Sequence, residues 1–68
     1  MPAKITPDRI EELAGDAGLI LPRAYPRKKA SDGSIVYVLK HGPREKREEH
    51  EFARSTTEAE CQAFLTAN

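Results

Sequence analysis

Apolar positions recur along this chain in several distinct rhythms. Between Thr6 and Gly18 the spacing is helical: Ile10, Leu13, Ala14 and Ala17 follow i, i+3, i+4, i+7, with Glu11, Glu12 and Asp16 on the other side. Thr6 is placed as N-cap, Pro7 suits the first helical position and Asp8 suits the positive end of the dipole. Ile5 and Ile10 stand where a hydrophobic staple needs them, Gly18 is a natural C′ residue, and Leu19 can fold back on the helix. The pattern predicts a helix over 7–17.

From Ile35 to Leu39 the apolar run is unbroken, opened by the turn signal Asp32-Gly33 and stopped by His41-Gly42-Pro43. Ile35, Tyr37 and Leu39 take one face and Val36 and Val38 the other. A strand apolar on both faces reads as the inner strand of a small sheet. One of its two faces then needs cover beyond the chain's own helices, which predicts a homodimer through the sheet or a partner on Val36 and Val38. From Glu48 to Ser55 the pattern alternates, with His50, Phe52 and Arg54 opposite Glu49, Glu51 and Ala53. With Phe52 as its single large anchor, this segment reads as a charged edge strand, hairpinned with residues 34–40.

Ser55-Thr56-Thr57-Glu58 has the form of a capping box, Ser55 as N-cap and Glu58 at N3, and opens a helix over 56–66 that presents Cys61, Phe64 and Leu65. Leu19-Ile20-Leu21 reads as a short strand or apolar plug. Pro22 and Pro26 bracket Arg23-Ala24-Tyr25, which the prolines mark as extended loop, continuing as a basic loop through Arg27, Lys28 and Lys29 to the turn at Gly33. In that loop no core packing is expected to depend on the three basic residues. The fold class is therefore α+β: one small domain over 1–68, order α-(β)-β-β-α, an antiparallel sheet of two or three strands covered by two helices.

Length bounds the picture: 68 residues give a core only just adequate, so help from a second copy or a partner is expected. Met1 followed closely by a helix cap suggests a complete short reading frame, of a size that also fits a host-directed phage or mobile-element product. Cys61 is the one cysteine, which excludes an internal disulfide framework and points to the cytoplasm. No apolar run has the length of a membrane span or the core of a signal peptide, so no membrane partner is expected.

Eleven basic residues balance eleven acidic ones, yet the balance is local nowhere. Residues 1–21 sum to minus two and residues 48–68 to minus four. Residues 22–47 carry eight cations against Asp32 and Glu45, a net plus six. This basic middle is the candidate site: Arg23, Tyr25, Arg27, Lys28, Lys29, Lys40, Arg44, Lys46 and Arg47. Clustered Lys and Arg suit phosphate contacts, and Tyr25 offers one stacking platform. Arg23, Arg27, Lys28 and Lys29 precede the inner strand and are placed near one end of it. Lys40, Arg44, Lys46 and Arg47 follow it and are placed at the hairpin tip.

Catalytic chemistry has little to work with. His41, His50 and Cys61 lack the paired spacing of a zinc motif and read as ordinary solvated or edge-strand histidines and a buried helix thiol. No nucleophile elbow, P-loop or dinucleotide fingerprint occurs, and no cofactor or metal is implied. The α-β-β-β-α order, with Ile10-Glu11-Glu12-Leu13 and the exit Gly18-Leu19-Ile20-Leu21, resembles the small double-stranded-RNA-binding-like fold of the HicA-type toxin ribonucleases. Those toxins open a strand with Gly-Ser-His, the histidine being catalytic. Here Gly33-Ser34 is followed by Ile35, so the resemblance implies the layout without the nuclease. The expectation is a non-enzymatic binding module that contacts nucleic acid through residues 22–47. The alternative is a small regulator or inhibitor that binds an acidic protein surface through its split charge.

Overall fold

The structure is a computed structural model and describes residues 4–67. The order is α1 (Pro7–Asp16), β1 (Arg23–Lys28), β2 (Ile35–His41), β3 (Glu48–Ala53) and α2 (Glu58–Thr66). The strands form one antiparallel sheet in the order β1-β2-β3, with Lys28 opposite Ile35 and His41 opposite Glu48. The α+β class, the antiparallel sheet and the inner position of β2 are as the sequence predicts.

α1 follows its sequence signals closely. The Thr6 hydroxyl accepts the Arg9 N–H at 3.3 Å, and both residues of the staple are buried. At the other end the Gly18 and Leu19 amides donate to the carbonyls of Gly15 and Ala14 at 3.0 Å, a complete Schellman closure. Gly18 takes φ +87°, as that closure requires. Leu19 then packs back against the core. That core joins Ile10, Leu13 and Ala14 of α1, Cys61 and Leu65 of α2, Ile5, and the helix-facing Leu39 and Phe52 of the sheet. Both helices therefore lie on one sheet face.

β1 is a correction to the expected loop. Pro26 belongs to it although it has no N–H to give. β1 is an edge strand, and the Ala24 N–H points away from β2, donating to the Glu11 carboxylate of α1 at 2.9 Å. Two residues on, the Pro26 nitrogen faces the same outer side, where the ladder needs no donor. Leu19, Ile20 and Leu21, by contrast, belong to no strand.

α2 begins two residues later than expected: Thr57 is the N-cap and Glu60 completes the capping box. Ser55 instead lies in a turn closed by the Thr56 N–H to Ala53 O at 3.0 Å, and Thr57 is held extended by the chain's beginning, since Ile5 N–H donates to Thr56 O at 3.0 Å and Lys4 bridges Thr57. Phe64 is 42% exposed and meets Phe52 and His50 edge-on, where a core position was expected.

The helix-free face also departs from expectation. Val38 is 0% exposed within the single chain. Tyr25 and Glu51 flank it across the strands, and the Arg27–Glu49 pair bridges β1 to β3 over the face β2 presents. Val38 therefore needs no second copy to cover it, while Val36 stays half-buried and lines an open groove with Ile35 and Ala53.

Candidate functional site

The expected basic segment folds into three parts with different fates. At one end of the sheet, Arg23 lies opposite Lys40, with Arg44, Lys46 and Arg47 in the connection just beyond. Arg23 thus joins the second basic group rather than the first, because β1 runs antiparallel to β2. Lys28 and Lys29 are at the other end, five strand steps or about 17 Å from Arg23. Tyr25 and Arg27 sit between, on the helix-free face.

The middle part is neutralised. Arg27 donates to both Glu49 oxygens, at 2.7 and 3.3 Å, and to the Tyr25 hydroxyl at 2.9 Å. Lys40 approaches Glu49 at 3.7 Å. The Tyr25 ring lies under both cations, 5.7 Å from the Arg27 guanidinium carbon and 5.9 Å from Lys40 Nζ. Tyr25 is therefore committed to cation–π contacts within the chain and is no free stacking platform. Arg27 is likewise no free loop cation, and reversing its charge would strip the cover of Val38.

The Arg27 hydrogen bond holds the Glu49 carboxyl below the usual carboxylate range, and the charge of Lys40 adds to this. A carboxyl depressed on folding contributes stability that is present above its unfolded pKa and lost as pH falls through the folded one. Thermal melts at descending pH should therefore lose stability across and below the normal carboxylate range. Arg27→Met should flatten that portion of the profile; an unchanged acid limb in this variant would show that the pair is thermodynamically silent.

The end bearing Arg23 is a built corner. Here the chain from α1 crosses toward the β2–β3 connection, and the Gly42 N–H donates to Ile20 O at 2.7 Å. Arg47 closes the corner from within. Its Nη1 donates to Gly42 O at 2.8 Å, and its Nη2 to Leu21 O and Lys40 O at 2.7 and 3.1 Å. Arg47, expected as a phosphate ligand, is thus a clamp on three carbonyls. The clamp holds Leu21 at φ +47°, a left-handed conformation costing a non-glycine residue roughly 1–2 kcal/mol.

The side chains of Ile20 and Leu21 are left 58% and 56% exposed. Leu21 lines a shallow groove of about 310 Å³ with Arg23, Lys40, Arg44 and Arg47. The sequence pattern counts Ile20 and Leu21 among apolar plug residues, and nothing local marks them as surface. Arg23, Arg44 and Lys46 are exposed, and their side chains have no ion-pair partner among the described residues. The usable cations of this corner are those three.

His50 lies in the edge strand β3, as one of the two expectations had it, but His41 is neither solvated nor on an edge. His41 is 8% exposed, and its Nε2 lies 3.1 Å from that of His50, at a cavity lined by Leu19, Glu48, Phe64 and Leu65. Only the hairpin register, which sets His41 opposite Glu48 and leaves His50 two residues along, could have revealed the pair beforehand. No protein-family model, curated protein or solved structure matches the chain. Among the described residues, no helix is long and apolar enough to cross a membrane.

Proposed function

We propose that this chain is a non-enzymatic binding module that grips nucleic acid with the corner carrying Arg23, Arg44 and Lys46. One observation supports this above the rest: Arg23 and Arg44, exposed and without acidic partners, converge with Lys40 and Arg47 on one groove at one end of the sheet, with the exposed Lys46 in the same connection. Such a cluster displaces counterions from a phosphate backbone, which gives affinity without sequence readout. A strand running on from this corner to Lys28 and Lys29 would have to pass Glu49 and Glu51 on the helix-free face. The contact is accordingly one-ended, and Lys28 and Lys29 are secondary.

The triple variant Arg23→Glu, Arg44→Glu, Lys46→Glu tests this against labelled duplex DNA, single-stranded DNA and RNA at two salt concentrations. Binding should be lost. Neutralising the same three residues one at a time should lower the log–log salt slope on duplex DNA by about 0.9 each. Lys28→Glu with Lys29→Glu should weaken binding less. Wild-type protein that binds none of the three probes at low salt would refute the proposal.

The exposed Ile20 and Leu21 favour a second reading, in which a small regulator or inhibitor docks on an acidic protein surface with an apolar anchor at its centre. Leu21→Asn separates the two, since asparagine tolerates the left-handed backbone while removing the apolar side chain. Nucleic-acid affinity should survive it; a protein partner should not.

A further inference from the structure

We propose that His41, His50 and Glu48 form a binding site for a zinc-class divalent ion. The three side chains come from adjacent rows of the β2–β3 ladder: Glu48 is the cross-strand partner of His41, and His50 follows Glu48 by two residues on the same face. The ring centroids of the histidines are 5.1 Å apart and their planes differ by 20°, yet the Nε2 atoms are only 3.1 Å apart. Each ring therefore turns its Nε2 edge toward the other. Across that gap one ring can donate an Nε2–H to the other.

A tetrahedral ion with metal–nitrogen bonds of 2.0–2.1 Å would hold two such nitrogens roughly 3.3–3.4 Å apart. In separation, the observed pair falls only a few tenths of an ångström short of that. Among the described residues no three ligating side chains stand ready-made around a metal position. The shortfall is at Glu48, whose Oε2 lies 4.0 Å from His41 Nε2. That side chain is 66% exposed, and its carboxylate has no other ion pair among the described residues, so a turn about its own bonds brings it in.

The surroundings suit the ligands. Phe64 holds the His50 ring edge-on at 5.2 Å, and the backbone fixes His41 in the inner strand. The fourth position would face the cavity of about 300 Å³ between the sheet and α2, open to water or an anion. Cys61 is not among its lining residues and is fully buried, and burial raises its thiol pKa, which disfavours the thiolate. The donor set is thus two imidazoles and a carboxylate, a combination that takes zinc and, more tightly, copper.

The ion takes each Nε2 with that ring's own proton held on Nδ1, and protons compete with it for the nitrogens, so binding should weaken on acidification. The test is calorimetric titration of zinc chloride into the chelator-treated full chain, with the imidazole nitrogens followed by NMR. One ion per chain should bind, both Nε2 resonances should shift, and the melting temperature should rise with zinc concentration. His50→Ala, at a half-buried position, should abolish binding, Glu48→Gln should weaken it, and Cys61→Ser should leave it intact. Absence of Nε2 shifts with zinc in excess overturns the proposal, whatever the variants do. So does binding that persists in His50→Ala or disappears in Cys61→Ser.

Discussion

Gly42→Ala should remove about 2–4 kcal/mol of stability through two costs that fall on one atom. Gly42 sits at φ +116°, beyond the left-handed region that even asparagine visits. A Cβ there would meet the backbone carbonyl oxygen of Lys46 at 2.8 Å, so the β2–β3 connection itself would have to shift. That shift would also disturb the Gly42 amide's bond to Ile20 O and the Arg47 bond to Gly42 O. A domain of this size has only about 3–10 kcal/mol in total, so the variant should melt far lower or be substantially unfolded at ambient temperature. Gly18→Ala is the control: its φ is also positive, but nothing lies within 4 Å of the new Cβ. It should cost about 1 kcal/mol, the backbone strain alone. Chemical denaturation of the two variants side by side measures the difference; equal losses would mean that the Gly42 corner yields without resistance.

How much of this was legible in advance depends on whether a signal is local. The cap, staple and Schellman exit of α1 each lie within a few residues of one another, and all read correctly. β2 declared itself because five successive apolar residues have few other uses. β1 did not, because Pro22 and Pro26 argue against a strand unless the strand is an edge whose outer side needs no donor, and that depends on Glu11 across the fold. The start of α2 departs from its local signal for a similar reason. Ser55 offers a good cap, but it lies in a turn, and Ile5 and Lys4 hold Thr57 extended and hand it the role.

The basic segment shows the same division. Its residues were evident from charge, while their fates were set by register. Antiparallel pairing moves Arg23 beside Lys40, brings Arg27 over to Glu49, and turns Arg47 inward onto three carbonyls. Hydrophobic patterning assigns residues such as Ile20 and Leu21 to the core by default, whereas here their backbone is tied down by Gly42 and by an arginine 26 positions from Leu21.

Arg47 and Arg44 stand three residues apart in the same connection and should respond oppositely to the same substitution. Arg47→Met removes hydrogen bonds from a charged donor to the carbonyls of Leu21, Lys40 and Gly42. Such bonds contribute about 1.5–3 kcal/mol each when well buried, but Arg47 is half-exposed and water can replace part of them, so a net loss of roughly 2–4 kcal/mol is expected. Arg47→Lys should recover little, because an ammonium cannot span three acceptors with the planar guanidinium fork. Arg44→Met touches no such contact among the described residues and should change stability by no more than about 0.5 kcal/mol, while weakening nucleic-acid binding. Thermal denaturation with binding titrations on both variants decides between clamp and contact residue. If Arg47→Met folds with full stability and loses only affinity, Arg47 belongs to the binding surface and the corner stands without it. If the clamp is real, Arg47→Met and Gly42→Ala should also fall short of additivity when combined, since each variant disrupts the same corner.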